Sequence, residues 1–273
     1  MKNETKDGID VAPILDNKNY AAPSAFKPEN ILREARRQRG LPKDSVPEVC
    51  VLDPDGDIVR YLKRVGRATK HDAWACYHSE LYRTEEDGME LGIVPCVVGA
   101  SYAVLVAEEL FASACKLLIS VTSSGQLAQL RRPPYFVLIE KALRDEGTSY
   151  HYLPPSEFSY GAKNLMAALQ KAFGELSVPM ERGATWTTDA PFRETDEAIE
   201  VMKKKGLFAV EMEAAALYAF AAARKKPVVC FAHVTNQMAR NEGDFEKGTA
   251  DGALDALRVV TLAARACLGR CSA

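Results

Sequence analysis

The sequence predicts an α/β fold: a three-layer αβα sandwich around a central mixed, largely parallel sheet. Short apolar runs alternate with helix-periodic segments along most of the chain, the pattern of strands joined by crossover helices. A length of 273 residues with 47% apolar content provides one large buried core. No internal repeat or linker-like stretch divides the chain.

In order, residues 1–28 are polar, with Pro13, Pro23 and Pro28, and read as an N-terminal arm ordered against a partner subunit. Pro28 to Gly40 is a basic helix, ended by Gly40 and Pro42. Glu48 to Leu52 reads as a strand, Asp57 to Arg64 as a short helix, and Met89 to Val98 as an apolar strand. Ser101 can cap the next helix, where Val104, Ala107, Phe111 and Ala114 share a face. Lys116 to Thr122 is a strand, and Tyr135 to Glu140 a strand or a helix start. Leu165, Ala168, Leu169 and Ala172 mark one helical face. Asp196 to Lys205 is a helix with three lysines in its last turn, which suit the macrodipole, and Gly206 after them as a stop. Leu207 to Val210 is a short buried strand, and the Ala-rich stretch from Ala214 is a helix. Pro227 to Val234 is a buried strand, and Asp251 to Cys267 the final helix.

Composition narrows the function classes. A net charge of -2 lacks the basic face that a nucleic-acid partner needs. No apolar stretch approaches the roughly 20 residues of a membrane span, and Met1 to Asp10 lacks the apolar core of a signal peptide. Seven cysteines are scattered singly, with no CxxC spacing, and read as reduced thiols of a cytoplasmic protein. His71, His78, His151 and His233 lack metal-ligand spacing, so no catalytic metal is expected.

The chemistry concentrates at the junction after Val210. Glu211 and Glu213 interrupt an apolar run. A buried carboxylate is costly unless paired or hydrogen-bonded, and α/β folds bind ligands at strand ends. A ligand site is one reading; a solvated turn carrying two acids is the other.

Val210-Glu211-Met212-Glu213-Ala214-Ala215 resembles the ribose-binding motif of the nucleoside phosphorylase-I family. Trp186-Thr187-Thr188-Asp189-Ala190-Pro191-Phe192-Arg193-Glu194-Thr195 is similar to a base-pocket segment of its uridine phosphorylase-like members. The resemblance runs from about Val49 to the C-terminus, so 29–273 is expected to form one catalytic domain. It implies that Glu213 accepts hydrogen bonds from the sugar diol, with Met212 against the sugar's apolar face. Glu211, two residues earlier in strand-like period, would either join it or hold structure. It also implies that Arg193 donates to a base carbonyl while Phe192 or Trp186 stacks on the ring. A surface Arg193 paired with Glu194, and aromatics packed in the core, are the plain alternatives. Asn236 stands where hexameric purine phosphorylases carry a proton-donating Asp. It is similar to the Thr-Asn pair of trimeric ones, where Asn contacts the base; a residue of a post-strand turn is the alternative.

The expected phosphate site departs from the family. Its Gly-Asp-Pro-x-Arg motif corresponds to Leu52-Asp53-Pro54-Asp55-Gly56, with Leu52 and Gly56 at the Gly and Arg positions. A second arginine position falls on Ser120, before Ser123 and Ser124, whose hydroxyls can still bind phosphate or sugar. A third, given by a neighbouring subunit, falls near His71. Each lost contact is worth about 1.5–3 kcal/mol. Asp55 and Asp57 would repel phosphate unless Arg60, Arg64, Arg67 or Lys70 moved in, and either acid could instead activate water. A helix N-terminus near Ser101 could attract an anion. The resemblance thus implies a homo-oligomer, dimer or hexamer, without organic cofactor. It would cleave nucleosides by phosphorolysis, with inorganic phosphate as co-substrate, to free base and (deoxy)ribose 1-phosphate; hydrolysis, as a nucleosidase, is the alternative. A nucleoside-binding protein without turnover is the rival from another class.

Overall fold

The computed structural model describes residues 11–175, 177–238 and 242–269. Ten strands form one mixed sheet: β1 (Val49–Asp53), β2 (Thr69–Lys70), β3 (Tyr82–Glu86), β4 (Met89–Pro95), β5 (Leu117–Gln126), β6 (Tyr135–Asp145), β7 (Phe158–Tyr160), β8 (Met180–Thr188), β9 (Leu207–Glu211) and β10 (Val228–Asn236). Seven α-helices accompany them: α1 (Pro28–Arg39), α2 (Asp57–Arg64), α3 (Ala100–Ala112), α4 (Lys163–Ala172), α5 (Asp196–Lys204), α6 (Ala214–Arg224) and α7 (Ala253–Leu268). Both counts are of the described residues.

Side chains alternate between two cores, as strand geometry requires. Cys50 and Leu52 of β1 pack with α3 and α6, while Val49 and Val51 pack with α2, α4 and α7. A sheet covered on both faces needs apolar residues at successive positions, which is why β1, β5 and β10 read as continuous apolar runs. Tyr218 of α6 ties that helix to two strands: its hydroxyl donates to the Ile139 carbonyl (2.5 Å) and accepts from Cys230 N–H (3.1 Å).

Part of the sheet closes on itself. β5 pairs with β10, β10 with β6, β6 with β8, β8 with β9, and β9 returns to β5. The other edge of β5 is shared. Leu117 to Ser120 pair with β1, and Gly125 and Gln126 pair with β9. Between them, among the described residues, Val121 to Ser124 have no strand partner on that edge. This split is where a sheet changes neighbours, the place α/β folds bind ligands.

The sequence-read helices α1, α2 and α5 stand within a residue of their expected bounds, and α6 begins at Ala214 as expected. Tyr135 begins a strand rather than a helix. Ser101 is not a cap: α3 starts from Gly99, and Ser101 lies inside its first turn. The described part of the arm folds back on its own chain, with Lys18 Nζ 3.0 Å from His151 Nδ1 and Ile14 against Gly147. Four of the cysteines, Cys50, Cys76, Cys115 and Cys230, are buried free thiols. Among the described residues, no helix is long and apolar enough to cross a membrane.

Candidate active site

The split in the sheet collects Thr122, Ser123 and Ser124 from β5, the β9–α6 junction and the end of β10. Glu213 precedes α6 and is 1% exposed. Gly99 N–H donates to its Oε1 (2.7 Å), and the Thr122 hydroxyl donates to its Oε2 (2.8 Å). The helix N-terminus considered as an anion site is thus already occupied by the protein's own carboxylate. Burial, followed by the adjacent Glu211 charge, raises the Glu213 carboxyl well above its usual range. Each oxygen has spent one acceptor position and keeps another, so the carboxylate is held in one orientation.

Glu211 does different work. Its Oε2 accepts from Glu213 N–H and Ala214 N–H, both at 2.7 Å. Its Oε1 accepts from the hydroxyls of Thr185 (3.1 Å) and Thr187. These bonds satisfy the first free amides of α6, the role of a helix cap. Burial raises this carboxyl too, against the hydrogen bonds that lower it. Of the two readings of Glu211, the structural one describes its contacts.

A cleft of about 470 Å³ opens beside the junction, walled by Ser123, Ser124, Phe192, Glu194, Met212 and Asn236 among others. Phe192 is fully exposed and free to stack. Asn236 Nδ2 donates to Thr235 Oγ1 (3.2 Å), and its Oδ1 accepts from Met238 N–H (2.9 Å). Gly125 lies where β5, β9 and β10 meet. A Cβ there would stand 2.6 Å from Met238 Sδ and 3.3 Å from Val210 Cγ1, so a larger residue would have to displace the Met238 side chain.

Two of the expected base contacts stand elsewhere. Trp186 is a core residue, 3% exposed and packed with Leu127, Leu143, Ile199 and Val210. Its Nε1 donates to Asp145 Oδ2 at 2.9 Å. It sits in β8, and alternation along the strand turns it inward. Arg193 is exposed and does not line the cleft. Its neighbour Glu194 does line it, and burial alone pushes this carboxyl up to about 7. Sequence reasoning missed Glu194 because it reads as a surface partner for Arg193; its place two residues after Phe192 was the available signal.

On the far side of Ser123 lies a recess of about 20 Å³, lined also by Asp53, Asp55, Asp57, His233, Asp251 and Gly252. Lys247 Nζ bridges Asp55 Oδ2 (2.6 Å) and Asp57 Oδ2 (2.5 Å). Asp57 also pairs with Arg60. Burial opposes the Lys247 charge, but the bonds to Asp55 and Asp57 outweigh it and raise its pKa. Of the four cations considered from sequence, only Arg60 pairs with either acid here, and the principal one is Lys247. Asp53 Oδ2 accepts from Val59 N–H (3.0 Å), and burial pushes the carboxyl up to about 7. His233 stacks on Phe136 (4.4 Å between centroids, 5° between planes), and burial followed by Lys247 lowers it to about 4. His71 lies outside both spaces, buried at a separate pocket of about 550 Å³ with Trp74 and His78.

The phosphorylase superfamily model matches residues 49–266. The chain belongs to that superfamily. Two solved structures of uridine phosphorylase from Vibrio fischeri ES114, one complexed with 6-hydroxy-1-naphthoic acid, share its fold with TM-scores of 0.67. Each is 19% identical, over 83% of this chain and 93% of theirs. No curated protein matches the chain. The cleft and the recess share Ser123, and of the motif residues the cleft is lined by Glu211, Met212, Phe192 and Asn236 but not by Glu213.

Proposed function

We propose that this superfamily member cleaves the N-glycosidic bond of a nucleoside with water. The observation that carries the choice of water is the recess beside Ser123. Its volume of about 20 Å³ exceeds the roughly 10–15 Å³ that one water requires. Its walls supply carboxylates that can hold and deprotonate a water, and its cation is already matched to two of them.

In this reading Glu213 holds the sugar diol and Met212 the sugar's apolar face. The base lies between Phe192, Glu194 and Asn236. Water attacks C1′ and gives a proton to Asp55 or Asp57. The electrons of the C1′–N bond pass to the base. Glu194, held near the protonation midpoint at neutral pH, donates a proton to it. The sugar passes through a cationic, oxocarbenium-like state. The preset Glu213 carboxylate favours that charge when ionised. Phosphorolysis is the second reading, supported by the superfamily match and by Lys247 and Arg60 at the recess edge. Homo-oligomerisation, with the arm and His71 serving a neighbour, belongs to the same proposal.

The test is base release from uridine, thymidine, inosine, adenosine and 5′-methylthioadenosine, each with and without phosphate. Release of base and free sugar without phosphate supports hydrolysis. Release only with phosphate, yielding a sugar phosphate, selects the second reading. Nucleoside binding without release in either arm makes the protein a binding module and overturns both.

A further inference from the structure

We infer that Asp55 and Asp57 are the residues that select the nucleophile, excluding oxyanions by binding Lys247. This rests on the hydrolytic reading and adds the residues that enforce it. Two features of the recess act together. The first is charge: Lys247 is the only ammonium hydrogen-bonded to the recess acids among the described residues, and both its partners are carboxylates. An arriving anion would meet Asp55 and Asp57 before any unshared positive charge. The second is a tether. Lys247 belongs to the segment that follows β10, which is tied back by Glu246 N–H to the Thr235 carbonyl (2.7 Å). The Lys247 carbonyl packs under Gly252, where an added Cβ would come within 2.6 Å of it. Phe245 of the same segment borders the base cleft. The ion triad therefore ties that segment to Asp55 and Asp57, whose carboxylates line the recess.

Replacing both carboxylates by amides of equal size removes the repulsion and frees Lys247 to bind an anion. The asparagine pair leaves the recess without its water-activating groups, so hydrolysis and anion binding should move in opposite directions.

The experiment titrates inorganic phosphate into the full chain by calorimetry and measures base release with and without phosphate. Wild type is compared with Asp55→Asn, Asp55→Asn/Asp57→Asn, and that double variant with Lys247→Met. The double variant should bind phosphate at least tenfold more tightly than wild type, lose phosphate-independent release, and gain release that phosphate stimulates. Adding Lys247→Met should abolish the gain in binding. Asp57 also pairs with Arg60 and begins α2. If the double variant does not fold by circular dichroism, Asp55→Asn alone carries the test, with a smaller gain of the same sign. Phosphate binding by wild type as tight as by the variants, or no gain in a folded variant, overturns the inference. If wild type releases no base in any arm, the hydrolytic reading fails, while the phosphate titration still decides whether these carboxylates exclude an anion.

Discussion

Glu213 and Phe192 stand at opposite extremes of exposure, 1% and 100%, and their substitutions should separate binding from stability. Phe192→Ala removes an aromatic that packs against nothing. Its thermal midpoint should stay at the wild-type value while KM rises about tenfold, the worth of one good stacking contact. Glu213→Gln should lower kcat by about 10²-fold or more. Its stability should also lose a pH slope. The folded carboxyl titrates above its unfolded value, so its contribution is lost as pH rises through the range above about 4.5. Melts of wild type and variant from pH 5 to 9 check this; parallel curves would refute it. That Met212 and Phe192 face one cleft was legible because the motifs that hold them are contiguous. Lys247 was not, because its acids lie about 190 residues away and one lysine among many carries no local mark. Trp186 was misplaced because a motif names residue types without saying which face of a strand each one takes.

The β9–α6 junction shows how one element makes the site. Glu211 caps α6, and the capped helix sets where Glu213 stands. Glu211→Ala leaves the amides of Glu213 and Ala214 without an acceptor and should cost about 1–2 kcal/mol. That corresponds to roughly 2–8 °C in midpoint for a domain of this size. A thermal melt checks it, and an unchanged midpoint would return Glu211 to the sugar. The turn before α7 is a second case. Gly252 has φ +79°, and a Cβ there would sit 2.2 Å from His233 Cε1. Gly252→Ala should destabilise by about 1–3 kcal/mol, read as a fall in the urea midpoint. Most elements were readable because their apolar periods and stop signals agree. β8 was not read as a strand, because Met180 to Gly183 are only half-buried and lack an apolar run. The cap on α3 was misassigned because Ser101 has the right chemistry, whereas the helix begins two residues earlier, from Gly99.

Across the whole molecule, acid should act through a histidine. His233 is neutral and stacked in the fold, with its pKa lowered from 6.5 to about 4. Between those values the unfolded chain binds a proton that the folded chain refuses, so stability falls as pH falls through that window. His233→Phe keeps the stack on Phe136 and should remove this share of the slope. Urea midpoints from pH 4 to 7 check it; an identical slope in the variant would refute it. The α/β class was legible from alternation alone. The closure of β5, β9, β8, β6 and β10 into a ring was not, since pairing between distant strands leaves no mark on local periodicity. That closure has a consequence for lifetime. A strand at an open edge can peel away while the rest of the sheet stands. Within the ring, β5 and β10, which carry Thr122 and Asn236, are paired to each other along most of their length, with Thr122 opposite Ala232 and Asn236 opposite Gly125. Those two side chains can part only when the ring itself opens. The site should then persist as long as the folded molecule, and the amides of these two strands should be among the last to exchange with solvent deuterium.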